Sequence, residues 1–152
     1  MNDPVNSARL NDPLQRASVT LLIRDDDLVP EELTALLGRN PDHAVRKGET
    51  FISRGRAGHE VTAKTGMWLA GSGWRAPPNI DEQITDLLRS LPDSLSLWND
   101  LTKRFDCYVT VGLYFDDDSW TGGIVLEAET LRMLGERGLA IDFDMYAPGA
   151  SN

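Results

Sequence analysis

The chain has 152 residues with 24 acidic against 15 basic side chains, a formal charge of −9. That balance argues against general nucleic-acid affinity, which rests on neutralising phosphates, and favours solubility or docking to a basic partner. The length fits one domain with a sizeable core, and no apolar run approaches the roughly 20 residues of a membrane span, so neither a membrane nor a nucleic acid is expected as partner.

Residues 1–16 hold Asn-Asp-Pro twice and no apolar period, which reads as a mobile tail without the apolar centre of a secretory signal. A strand follows, with Val19, Leu21 and Ile23 on one face. Pro30 suits the first turn of a helix, Glu31 and Glu32 lie at the positive end of its dipole, and Gly38 supplies the stop. Further strands are expected near 44–47 and 65–70, with a Gly- and Arg-containing loop at 53–58 between them. Gly71-Ser72-Gly73 and Pro77-Pro78 are expected to break the chain.

The middle reads as helical. Asn79 with Glu82 forms a helix-start signal, and Ile80, Ile84, Leu87, Leu88 and Leu91 share one helical face. Pro92 ends that helix; Asp93 or Ser94 caps the next, whose stripe is Leu97 or Trp98, Leu101 and Phe105. The following strand places Cys107, Val109, Val111, Leu113 and Phe115 on one side and Tyr108, Thr110, Gly112 and Tyr114 on the other. After a helix at 127–136, a last strand alternates Ile141, Phe143 and Met145 with Asp142, Asp144 and Tyr146.

One pattern occurs twice. Val19–Asp27 followed by Glu32–Gly38, and Val109–Asp118 followed by Glu129–Gly135, each read as an alternating strand, an Asp triple and a short helix stopped by glycine. This predicts an α+β fold: a ferredoxin-like antiparallel sheet from two pseudo-symmetric β-α-β halves, with the two middle helices as an insertion. A single domain over 17–147 is expected, between tails at 1–16 and 148–152. A different mixed α+β sheet fits the same pattern, because strand order is not written in the sequence.

The Asp triples invite a cation or paired acid–base chemistry. If the two equivalent strands are antiparallel neighbours, however, their acidic ends point oppositely, and seven extended residues span roughly 20 Å. Neither triple has the spaced oxygen ligands and glycine of an EF-hand, and strand-end aspartates commonly cap turns. His43 and His59 lack a ligand partner at metal spacing, and Cys107, the single cysteine, reads as a buried structural thiol in a reducing cytoplasm. No nucleophile elbow, phosphate loop or dinucleotide fingerprint occurs. No catalytic residue, metal or cofactor is therefore expected.

Binding residues are better signalled. Six basic residues, Arg46 and Lys47 among them, face three acids between Arg39 and Lys64, a segment suited to a phosphate or an acidic partner surface or to guarding a strand edge. Trp68 and Trp98 fit core positions, whereas Trp74 and Trp120 stand beside Gly-rich loops, where rings anchor recognition. The polar strand face bearing Thr20, Tyr108, Thr110, Tyr114, Asp142, Asp144 and Tyr146 suits a ligand platform, a homodimer face or the seat of the inserted helices. The candidate set is Arg46, Lys47, Trp74, Trp120, Tyr108 and Tyr114.

The run Asp26 to Pro41, the Val45-Arg46-Lys47-Gly48-Glu49 that follows, the Trp68 strand, the helix at 80–91 and the closing Ile141-Asp142-Phe143-Asp144-Met145-Tyr146 together resemble the bacterial family catalogued as domain of unknown function 4279. The likeness spans about residues 18 to 146. It implies a compact bacterial cytoplasmic domain and assigns no activity or site residue.

The expected function is a non-enzymatic binding or interaction module of the cytoplasm, one form of which is an immunity-type protein masking a basic toxin surface. The alternative is a small-ligand or anion-binding domain using Arg46, Lys47 and Trp74, and a third option is a metal-dependent hydrolase using the Asp triples.

Overall fold

Residues 14–53, 58–116 and 123–147 are described by the computed structural model. In chain order the elements are β1 (Leu14–Asp25), α1 (Pro30–Leu37), β2 (His43–Val45), β3 (Thr50–Ile52), β4 (Glu60–Thr62), β5 (Gly66–Arg75), α2 (Ile80–Arg89), α3 (Leu95–Arg104), β6 (Asp106–Phe115), α4 (Ala128–Glu136) and β7 (Ala140–Tyr146). The class is α+β, with one five-stranded sheet in the order β2-β5-β1-β6-β7 and a separate β3–β4 hairpin.

Alternation in β1 builds the centre. Ala17, Val19, Leu21 and Ile23 are fully buried, and each lies beside an apolar residue of antiparallel β6: Leu113, Val111, Val109 and Cys107 respectively. On the other side β5 sets Ala70 beside Leu21 and Trp68 beside Ile23. All of the described helices lay apolar residues into this one layer, Leu33 and Leu37 from α1, Ile84 and Leu88 from α2, Trp98 and Leu101 from α3, Met133 and Leu134 from α4. Such a sheet buries one face and leaves the other for solvent or a partner, which is why the strands alternate so cleanly.

Two capped helix starts follow their sequence signals. The Asn79 side chain accepts from the Glu82 backbone N–H, and the Ser94 hydroxyl accepts from that of Leu97. Trp98, fully buried, donates its indole N–H to the Pro92 carbonyl at 2.8 Å, so the ring that fills the core also ties down the turn before α3.

Several expectations are corrected. The sheet is mostly antiparallel, but β7 pairs with β6 in parallel as its immediate neighbour, while β2 is parallel to β1 with β5 between them. The two β-α-β units are thus locally alike and differently placed, because only the first admits a strand between its pair. A parallel neighbour needs a crossover, which α4 provides. Gly71-Ser72-Gly73 does not break the chain but lies inside β5. There the pairing of β5 with β1 shifts between Ser18 and Thr20, and a Cβ on Gly71 would fall 2.5 Å from the Val19 carbonyl oxygen. The glycine is needed for close approach of two strands, not for a turn. The β3–β4 strands flanking the expected loop are a further addition, and β1 opens at Leu14, within the stretch read as tail. The rest of both tails, 1–13 and 148–152, lies outside the described residues.

Candidate functional site

With the helices on one face, including the inserted α2 and α3, the polar face of the sheet is left without a helix among the described residues. Of the three uses foreseen for it, seating the inserted helices is removed. Strand register fixes what this face displays. Thr110 lies between Thr20 and Asp142, Gly112 between Ser18 and Asp144, and Tyr114 between Arg16 and Tyr146. Towards β2 the same rows continue with Gly71 beside Thr20 and Leu69 beside Leu22. The β3–β4 hairpin reaches this face at its β2 edge, where Phe51 meets the His43 ring at 5.0 Å.

Aromatic and cationic groups gather at the two ends. At one end Trp74, 46% exposed, lies against Gly112, where a Cβ would come 3.0 Å from the ring. Tyr146 meets Trp74 edge-on at 6.1 Å, and the Arg16 guanidinium sits 4.9 Å from the Trp74 centroid and 4.5 Å from that of Tyr114. At the other end Arg24 stacks 5.3 Å over Tyr108 and pairs with Asp106 at 2.8 Å. Hydrogen bonding to Asp106 raises the Arg24 pKa above its ordinary value. Tyr108 and Tyr114 are six positions apart, roughly 20 Å along an extended strand. Between the ends the floor is small and polar: Ser18, Thr20, Thr110 and Gly112.

Trp74, Tyr108 and Tyr114 from the candidate set therefore share one face, and Trp74 and Tyr114 flank the same cation. Arg46 and Lys47 do not join them. Arg46 donates to Glu31 at 2.7 Å, its backbone N–H donates to Glu49 at 2.8 Å, and Lys47 pairs with Asp26. The Glu31 carboxyl is held below its ordinary pKa by its own backbone N–H at the helix start and then by Arg46. Asp26 is held low chiefly by Lys47, and the Lys47 ammonium is raised by Asp26. A cavity of about 460 Å³ opens here between α1 and β2, lined by Pro30, Thr34, Ala44, Glu31, Arg46 and Glu49. With Glu31 on the Arg46 guanidinium and Glu49 on its backbone N–H, two carboxylates in the lining make the cavity a poor receptor for an anion. Arg39 of the same basic segment bridges the Gly71 carbonyl and the Ser90 hydroxyl, tying the sheet to the end of α2. Trp120, Arg54 and Arg56 lie outside the described residues.

The first Asp triple is a turn. Asp25 accepts from the Asp27 backbone N–H at 2.9 Å, and Asp26 faces Lys47. Because β1 and β6 are antiparallel, Asp25 lies near Asp106 while Asp116 follows Phe115 beside Leu14, at the far end of the strand pair. Asp117 and Asp118 lie outside the described residues. Among the described residues no three His, Cys, Asp or Glu side chains converge as a metal site. Cys107 is buried against the Leu101 carbonyl, and burial pushes its thiol up to about 12, which suppresses the thiolate a nucleophile needs.

Arg16, Arg24 and Gly112 were not singled out by sequence reasoning. The signal for Arg16 and Arg24 was parity: extended back to Leu14, β1 places both on the same face as Ser18 and Thr20.

An α+β domain with one helix-covered and one open, aromatic-studded sheet face is the class these observations define. The chain belongs to the family described as Domain of unknown function (DUF4279), whose model matches residues 15–148. No curated protein and no solved structure matches it. No described helix is long and apolar enough to cross a membrane.

Proposed function

We propose that the protein is a non-enzymatic interaction module that docks a basic protein surface on the open face of its sheet. The observation that carries this reading is the open face itself: Trp74 from β5, Tyr108 and Tyr114 from β6 and Tyr146 from β7 stand on it, with exposed Asp142 and Asp144 along β7. Aromatic rings supply contact area at low entropic cost, and carboxylates at the rim steer a basic partner and fix its register. The formal charge of −9 acts in the same direction. An immunity-type protein masking the basic surface of a toxin is the concrete form of this function. The anion-binding alternative loses support, since Arg46 and Lys47 already face Glu31 and Asp26.

The test is affinity capture from native lysate with the wild-type chain and with Trp74→Ala and Tyr108→Ala variants. A stoichiometric partner of high pI, released by salt and lost with the variants, is expected. If wild type retains only acidic proteins, or none, the docking function fails; self-association through this face would show instead as a concentration-dependent dimer.

A further inference from the structure

We propose that Trp74, Tyr114 and Tyr146 form a receptor for an arginine side chain of the docked partner, and that Arg16 fills this receptor in the free chain. The inference rests on the docking function above and names the chemistry of one contact within it.

Three aromatic residues from three strands surround the slot. Trp74 comes from β5, Tyr114 from β6 and Tyr146 from β7, and the last two are set opposite each other by the parallel register. Gly112 makes the arrangement fit, since a Cβ there would meet the Trp74 ring at 3.0 Å and the Ser18 hydroxyl at 2.7 Å. The ring-bearing strands are held by pairing, and the cation between the rings is the exposed side chain of Arg16, whose backbone pairs with Tyr114.

The occupant is a guanidinium whose central carbon lies within 5 Å of two ring centroids, 4.9 Å from Trp74 and 4.5 Å from Tyr114. Both distances are inside the range of a cation–π attraction. Two cationic sites on one face behave differently. Arg24 combines its ring contact on Tyr108 with an ion pair to Asp106 at 2.8 Å. Arg16 has no carboxylate within 4.0 Å among the described residues, so the rings are its described partners. An exposed cation whose described partners are aromatic rings is open to exchange with another of the same kind. The nearest charged neighbour in register is acidic: Asp144 lies opposite Gly112, one row from the Tyr114–Tyr146 pair, and is exposed. A planar guanidinium suits a slot between two ring faces better than a compact ammonium, because it stacks as well as attracts.

The experiment uses the full chain and N-acetyl-arginine amide as probe, followed by the indole N–H resonance of Trp74 in a ¹⁵N-labelled sample. The Trp74→Phe variant identifies that resonance. Arg16→Ala is expected to bind the probe about two- to five-fold more tightly than wild type, the factor lost with a competing exposed cation–π contact. N-acetyl-lysine amide should bind less well, and Arg16→Ala/Tyr114→Ala, which keeps the Trp74 reporter but lacks one wall of the slot, should show no saturable shift. Should Arg16→Ala give no saturable shift at Trp74, or bind no better than wild type, the receptor assignment is overturned. Melting curves of each variant separate lost binding from lost fold. The small probe reports on the slot whether or not a protein partner is captured. A basic partner retained by a Trp74→Ala chain would overturn the slot and leave the docking face standing.

Discussion

The Gln83 side chain donates to the Ala17 carbonyl at 2.8 Å, joining the middle of α2 to the central strand at the point where its pairing with β5 slips. The same amide group donates to the Ser72 hydroxyl at 3.2 Å, while Ser72 accepts from the Val19 N–H at 3.1 Å and Gln83 accepts from Asn79. A strand irregularity that would leave backbone groups unpaired is thereby closed by two side chains.

Replacing Gln83 by leucine leaves the buried Ala17 carbonyl and the half-buried Asn79 N–H without this partner. The expected loss is about 1–3 kcal/mol, read as a lower urea midpoint at unchanged slope. Ser72→Ala removes one hydroxyl and should lose less. An unchanged midpoint for Gln83→Leu would mean that water or relaxation satisfies both groups.

Two glycines on the open face should respond differently to alanine. At Gly71 the added Cβ meets backbone, the Val19 carbonyl oxygen at 2.5 Å, and the strands cannot yield; a loss of about 1–3 kcal/mol is expected in denaturant titration. At Gly112 it meets the Trp74 ring and the Ser18 hydroxyl, both side chains that can turn away. Gly112→Ala should therefore unseat Trp74, red-shifting its emission, with a smaller loss of stability.

Cys107 predicts an alkaline weakness. Burial raises its thiol from about 9 in an exposed setting to about 12, so between those values the native chain keeps a proton that the unfolded chain has lost. The native state binds more protons there, and stability falls as pH rises through the window while being fully present below it. Denaturation midpoints taken at pH 8 and 10 should fall more steeply for wild type than for Cys107→Val. A thiol reagent at pH 8 should modify the native chain only as fast as it opens.

Arg46 and Lys47 offer a test by absence. Each already faces a carboxylate, so inorganic phosphate at millimolar concentration should leave the melting temperature where it was. A rise that disappears in Arg46→Ala would restore the anion-binding function.

Local features were legible because they depend on neighbours in the chain. Gly38 takes φ of 63° and closes α1, and Pro30 opens it. Trp68 and Trp98 fill the core as their apolar spacing requires, and the parity of β1 and β6 sorted buried from outward residues without error at Val19, Leu21, Ile23, Cys107 and Val109. The antiparallel relation of those two strands also placed Asp25 and Asp116 at opposite ends. Parity found Tyr108, Tyr114 and Tyr146 as one face, but which residues of β5 stand beside them depends on pairing across the chain. Trp74 was suspected from its Gly-rich neighbourhood, and only the slip at Ser18 and Thr20 brings its ring over Gly112.

By itself the sequence determined the α+β class, the helix limits, the buried side of β1 and β6 and the family. It did so through periodicity and capping, which act over a few residues. Tertiary structure alone decided that β7 joins β6 in parallel, that all the described helices crowd onto one face, and that Arg16 lies between Trp74 and Tyr114. Those outcomes depend on which strands pair and in what register, and pairing is settled by packing between segments far apart in the chain. The basic segment that looked most like a site met its counter-charges only on folding, when Glu31 and Asp26 came to Arg46 and Lys47.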